Sequence, residues 1–197
     1  MTLDLVINAL IFVCTALCFV LDFRQEGIWS WKNGARALRF FTILSNLFCA
    51  CACLAVVFCL RSGALPRWVW VVKYVGTSAV TVTLLTVMVF LGPALGYKSQ
   101  LSGAGFYYHL VGPLLAIVSF CFLERVFDLS FVLSLLGIVP VLLYGLFYLY
   151  KVVLCPEEKR WDDFYGYNKS GKWPISFAAM MVGAFVICLL LRLLYRL

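Results

Sequence analysis

Histidine occurs once in this chain of 197 residues, as His109, and charged side chains make up only 13% of it. A single imidazole excludes a bis-histidine haem site, and without carboxylate or thiolate help it does not support a three-ligand zinc site. The nine carboxylates (Asp4, Asp22, Glu26, Glu124, Asp128, Glu157, Glu158, Asp162 and Asp163) all fall at the ends of apolar segments or between them. No acid is left in the middle of a segment, which argues against a proton relay or cation pathway built on such residues. The alternation of an outer-membrane strand is also missing, so the apolar segments read as helices. No internal repeat is evident, which weighs against an inverted-repeat transporter.

What is present is apolar surface. Hydrophobic residues make up 64% of the chain, and the mean hydropathy is +1.01. Ordinary globular usage is roughly half apolar, so the solvent for most of this chain is lipid. A spanning helix takes about 20 apolar residues, and six runs of that order occur: Leu3–Phe23, Ala37–Leu60, Trp68–Leu91, Phe106–Leu123, Leu129–Val153 and Pro174–Tyr195. The expected fold is an all-α integral membrane protein, a six-transmembrane-helix bundle forming a single domain over residues 1–197. Met1–Asp4 carries no basic residue and the apolar stretch after it is long for a signal peptide, so the first run is expected to be a retained helix.

With six spans, the first, third and fifth connections share one face. Ten of the 16 basic residues lie there: Arg24, Lys32, Arg36, Arg39, Lys98, Lys151, Lys159, Arg160, Lys169 and Lys172. The positive-inside rule then places that face in the cytoplasm and both termini outside. The net charge of +7 is scattered over helix ends, a pattern of side chains snorkelling to lipid phosphates and not of a nucleic-acid surface. Arg61, Arg67, Lys73, Arg125, Arg192 and Arg196 are read in the same way at the other face. Trp29, Trp31, Trp68, Trp70, Trp161 and Trp173 sit at segment ends, as an interfacial belt requires. Eight of the nine cysteines fall within runs and read as small packing residues. On a helix Cys51 points away from the face shared by Cys49 and Cys53, which speaks against a metal-ligand cluster.

Polar side chains inside a span are functional candidates by default, and here they converge. Thr42 lies about five residues into the second run and His109 about three into the fourth. Both would therefore enter from the face of the odd connections, roughly 5–8 Å deep at 1.5 Å per residue. Thr42, Ser45 and Asn46 follow i, i+3, i+4 spacing and make one polar stripe, with Arg39 three residues earlier, towards water. Asp22, Tyr148 and Tyr150 end at the same face, and the WDDFYGYN stretch of the fifth connection is placed to fold over it. A threonine hydroxyl becomes a useful nucleophile when a base takes its proton, and imidazole suits that work near pH 7. Asn46 is a candidate oxyanion donor, and Arg39 or Arg36 a candidate partner for a substrate carboxylate. Against this, intramembrane Thr and Ser ordinarily bond their own i−4 carbonyl or glue helices together, as TSAVTVTLLT on the third run is read to do. Asn46 also reads as an interhelical clasp, and Gly112-Pro113 as a kink.

The FFTILSN stretch heading the second run, the His-x-x-x-Pro of HLVGP in the fourth, and the six-span layout resemble the androgen-induced and androgen-dependent TFPI-regulating protein family. The chain looks like one of its compact bacterial relatives. Animal members are membrane threonine hydrolases that cleave fatty acid esters of hydroxy fatty acids, and the resemblance implies Thr42 as nucleophile and His109 as base. The Ser-Asn that follows here departs from the animal sequences, which keeps Ser45 open as a rival nucleophile. The resemblance implies hydrolysis of fatty acid esters of hydroxy fatty acids or similar acyl esters, with no metal or organic cofactor. The expected partners are the lipid substrate and membrane lipids, and the expected location is a bacterial cytoplasmic membrane. The alternative is a non-catalytic protein that binds or carries a lipid or small amphiphile in the same polar pocket.

Overall fold

The computed structural model describes residues 2–25 and 27–197. Six of its helices are long and apolar enough to cross a membrane: Leu3–Asp22, Phe41–Arg61, Arg67–Leu95, Ala104–Leu123, Phe131–Leu154 and Trp173–Arg196, hereafter the first to sixth spans. The chain is an all-α, multi-pass membrane protein, as its composition requires. The only strand pairing among the described residues is an antiparallel contact of Arg24–Gln25 with Ile28–Trp29 in the first connection.

The second span begins later than its apolar pattern predicts. Trp31–Ala37 forms a separate short helix, started by the Ser30 hydroxyl, which accepts from the Lys32 N–H at 3.2 Å. Its Lys32, Asn33 and Arg36 are costly to bury in hydrocarbon, so the segment ends before the true span starts. Phe40 is extended (φ −91°, ψ 133°), and its ring packs 4.6 Å from that of Phe164 in the fifth connection. Thr42 is consequently the second residue of its span, while His109 is the sixth of Ala104–Leu123. Thr42 is shallower and His109 deeper than equal entry from the odd face predicts.

At the end bearing the second and fourth connections, the bundle is tightly packed. Trp70 is fully buried against Phe120, Phe127 and Tyr195, with ring centroids 5.4, 5.5 and 5.8 Å away. Its indole N–H donates to the Glu124 carbonyl at 2.9 Å. Trp70 is therefore core and not belt, whereas Trp29, Trp31 and Trp68 are exposed as belt residues are. The second and third spans approach closely at Gly76, where a Cβ would meet the Cys49 Cα at 2.9 Å; small residues permit such contacts in lipid.

Lys73 does not snorkel. Its Nζ donates to Asn8 Oδ1 at 2.7 Å and to Cys53 Sγ at 2.9 Å, and lies 3.6 Å from Glu124 Oε1. Asn8 Nδ2 in turn donates to Asp4 Oδ1 at 2.8 Å and Glu124 Oε1 at 2.9 Å, and the Ser119 hydroxyl donates to Glu124 Oε1. All six side chains are buried. Two carboxylates at helix ends are thus drawn inward, because a position in a helix sets depth but not the direction in which a side chain faces. Among the described residues no acid lies midway along a span, but these two are enclosed by the bundle and not solvated at its surface. Cys53 is likewise more than an apolar filler, since its sulfur receives the lysine. Cys51 is exposed while Cys49 and Cys53 are buried, as their helical spacing requires.

Candidate functional site

The opposite end of the bundle is open. A cavity of about 500 Å³ is lined there by Asp22, Arg36, Thr42, Gln100, His109 and Tyr165, among others. Thr42 and His109 therefore face one space, although no hydrogen bond joins them among the described residues. Asp22 and the fifth connection reach the site as expected, whereas Tyr150 is turned outward.

His109 owes its position to a widened turn. Tyr107–Val111 is a π-turn running into Gly112-Pro113. The Gly112 N–H bonds the carbonyl five residues back, on Tyr107. Pro113 has no N–H for the next carbonyl, that of Tyr108. Asn46 Nδ2 fills the gap, donating to the Tyr108 carbonyl at 3.2 Å and to the Thr42 carbonyl at 2.8 Å. The third span repeats the device. Val87–Leu91 is a π-turn before Gly92-Pro93, and the Tyr97 hydroxyl donates to the Met88 carbonyl at 2.8 Å. Such π-turns recur at functional sites. The flanking tyrosines lock the fourth span to the first, Tyr107 through the Ile11 carbonyl at 2.9 Å and Tyr108 through Asp22 Oδ2 at 2.9 Å. Between them and the cavity, His109 Nδ1 is buried without a hydrogen-bond partner among the described residues. A buried polar atom left unpaired costs about 1–3 kcal/mol, so each one calls for a physical explanation.

A second cavity adjoins the first. It measures about 540 Å³ and runs between the second, third, fifth and sixth spans, walled by side chains such as Val82, Phe90, Val141, Met180, Ile187 and Leu190. Its lining is apolar, and its volume falls within the range of ligand pockets. Thr42, Leu91 and Tyr165 line both cavities. Thr42 therefore stands where an apolar cleft meets a more polar chamber lined by Arg36, Asp22 and His109, among others.

The other expected site residues take different places. Ser45 is buried and lines neither cavity; its hydroxyl donates to the Thr42 carbonyl at 3.1 Å and lies 3.0 Å from Thr83 Oγ1. Asn46 is a clamp between the helices that carry Thr42 and His109, its amide hydrogens committed to two carbonyls, so it offers nothing to an oxyanion. Arg39 lies over the Trp161 ring, 5.3 Å from its centroid, outside the chamber; the guanidinium at the chamber is that of Arg36. The short helix before the break at Phe40 orients these two arginines differently. Asp163 is engaged within its own loop. Its carboxylate accepts from the Tyr148 hydroxyl and the N–H groups of Tyr167 and Asn168, and so shapes the fifth connection.

Replacing Asn46 by alanine leaves the Tyr108 carbonyl unpaired in the bilayer and is expected to cost about 1–3 kcal/mol. Thermal melting in detergent reads this directly, and an unchanged midpoint would contradict the clamp. Comparison with protein-family models, with curated proteins and with solved structures finds no match.

Proposed function

We propose that this chain is a membrane-embedded lipid ester hydrolase in which Thr42 is the nucleophile and His109 the general base and then acid. The observation that carries the reading is the position of Thr42, at the junction of an acyl-sized apolar cleft and the chamber that holds the unpaired imidazole. An acyl chain in the cleft presents its ester carbonyl at Thr42. Attack forms the bond from Thr42 Oγ to the acyl carbon as the hydroxyl proton passes to His109. The carbon–oxygen bond to the leaving alcohol then breaks, and His109 returns the proton to that oxygen. Water repeats the sequence and frees the acid. Arg36 suits a carboxylate on the leaving half, which fits fatty acid esters of hydroxy fatty acids or similar acyl esters. The bacterial cytoplasmic membrane is the setting consistent with the resemblance.

Binding or carriage of a lipid without chemistry is the second reading, favoured by the absence of a group orienting His109 among the described residues. Labelling with a fluorophosphonate separates the two. Labelling that is lost in both Thr42→Ala and His109→Ala, with the variants folded, supports the hydrolase. No labelling and no ester cleavage by folded protein supports the binding role.

A further inference from the structure

With Asn46 committed to two carbonyls, an oxyanion formed at Thr42 needs another donor, and the fifth connection brings one. Tyr165 reaches over the mouth of the bundle from WDDFYGYN. Its hydroxyl oxygen accepts from the Phe41 N–H at 3.1 Å, which sets the phenol beside the residue preceding Thr42. The loop beneath it is anchored apart from this contact. Asp163 Oδ1 lies 3.1 Å from the Tyr148 hydroxyl, and the same hydroxyl accepts from the Tyr165 N–H at 3.2 Å. The Phe164 ring packs 4.9 Å from that of Tyr148. The phenol is thus held from both ends, by its main chain and by its oxygen, beside the nucleophile. Together with Thr42 and Leu91 it separates the apolar cleft from the polar chamber.

We infer that the Tyr165 hydroxyl is a further catalytic group, donating a hydrogen bond to the carbonyl oxygen of an acyl ester as that oxygen turns anionic on Thr42. The inference rests on the hydrolase reading. The oxyanion is bonded to the carbon that Thr42 Oγ attacks, and Tyr165 lines both cavities that meet at Thr42. Its hydroxyl is held at the neighbouring Phe41 N–H, so the phenol is placed to donate to the anion. No proton changes hands at Tyr165: the Thr42 proton goes to His109 and then to the leaving oxygen, while the phenol keeps its own. Burial pushes the Tyr165 phenol up, against the opposing pull of the Phe41 N–H, so it stays protonated and able to donate across the neutral range. The aromatic ring meanwhile fixes where the acyl chain ends and the polar half begins.

The test is turnover of p-nitrophenyl laurate by the full chain in detergent micelles, with the melting midpoint measured alongside. Tyr165→Phe keeps the ring and removes the donor. Loss of one oxyanion donor lowers kcat by about 10²–10³-fold, with KM and the melting midpoint nearly unchanged. Asp163→Ala is the control, since it loosens the loop without touching the phenol. It is expected to lower the melting midpoint and to reduce kcat far less than Tyr165→Phe in the fraction that remains folded, since the Phe41 N–H still holds the phenol. If Tyr165→Phe and Asp163→Ala lose kcat in proportion to their loss of stability, Tyr165 is a latch only and the inference is overturned. Wild-type turnover that depends on Thr42 and is matched by Tyr165→Phe overturns this inference alone. Absence of Thr42-dependent turnover in the wild type overturns the hydrolase reading and this inference with it.

Discussion

Lys73→Met is expected to destabilise the bundle by about 3–5 kcal/mol, the usual consequence of removing one partner from a buried ionic group. Lys73 is the cation in a cluster that also holds the carboxylates of Asp4 and Glu124, all of them buried. Without it, Asn8 and Ser119 remain as donors to Glu124, whose Oε2 already has no partner among the described residues. Methionine matches the lysine stem in length and fills its space, so the loss reports charge and not volume. The melting midpoint in detergent should fall on the order of 10 °C. The triple variant Lys73→Met, Asp4→Asn, Glu124→Gln should recover most of that loss, since no unpaired charge is left behind. An unchanged midpoint in Lys73→Met would mean that the cluster does not tie the first, third and fourth spans together.

The second large effect falls on chemistry at the other end of the bundle. Thr42→Ala and His109→Ala should each lower ester turnover by about 10³-fold or more, and the double variant should lose little beyond either single one, because the two groups act as a unit. Thr42→Ser keeps a hydroxyl at the junction of the two cavities and should retain measurable turnover. Ser45→Ala should behave as wild type in turnover, because the Ser45 hydroxyl faces Thr83 and lines neither cavity. Full activity in folded Thr42→Ala would remove the nucleophile from the scheme, and loss confined to Ser45→Ala would move it one turn along the helix.

The six spans were legible in the sequence because a run of about 20 apolar residues has few alternatives to crossing lipid. That Thr42 and His109 line one chamber was legible for a related reason: even spans start at one face, so polar residues near their starts share it. The break at Leu38–Phe40 was not, since the apolar run starts at Ala37 with Arg39 as its one charged interruption, and the contact that holds Phe40 extended is with Phe164, far away in sequence. The inward turn of Lys73, Asp4 and Glu124 escaped detection because each is innocuous alone, and their pairing exists only once the first, third and fourth spans are packed. Asn46 shows the limit of periodicity most clearly. Its place on the polar stripe was evident, yet its role follows from Pro113, which sits 67 positions further on and leaves a carbonyl for it to satisfy. Tyr165 stood out only as part of an aromatic loop, and nothing in WDDFYGYN distinguishes its hydroxyl from those of its neighbours.

The most direct test of the shared site is peptide mapping by mass spectrometry after reaction of the folded chain with a long-chain fluorophosphonate. The account predicts a phosphonate adduct on Thr42 that forms in the wild type and is lost when His109 is replaced by alanine. An adduct confined to Ser45, or one on Thr42 that forms equally fast without His109, would contradict it.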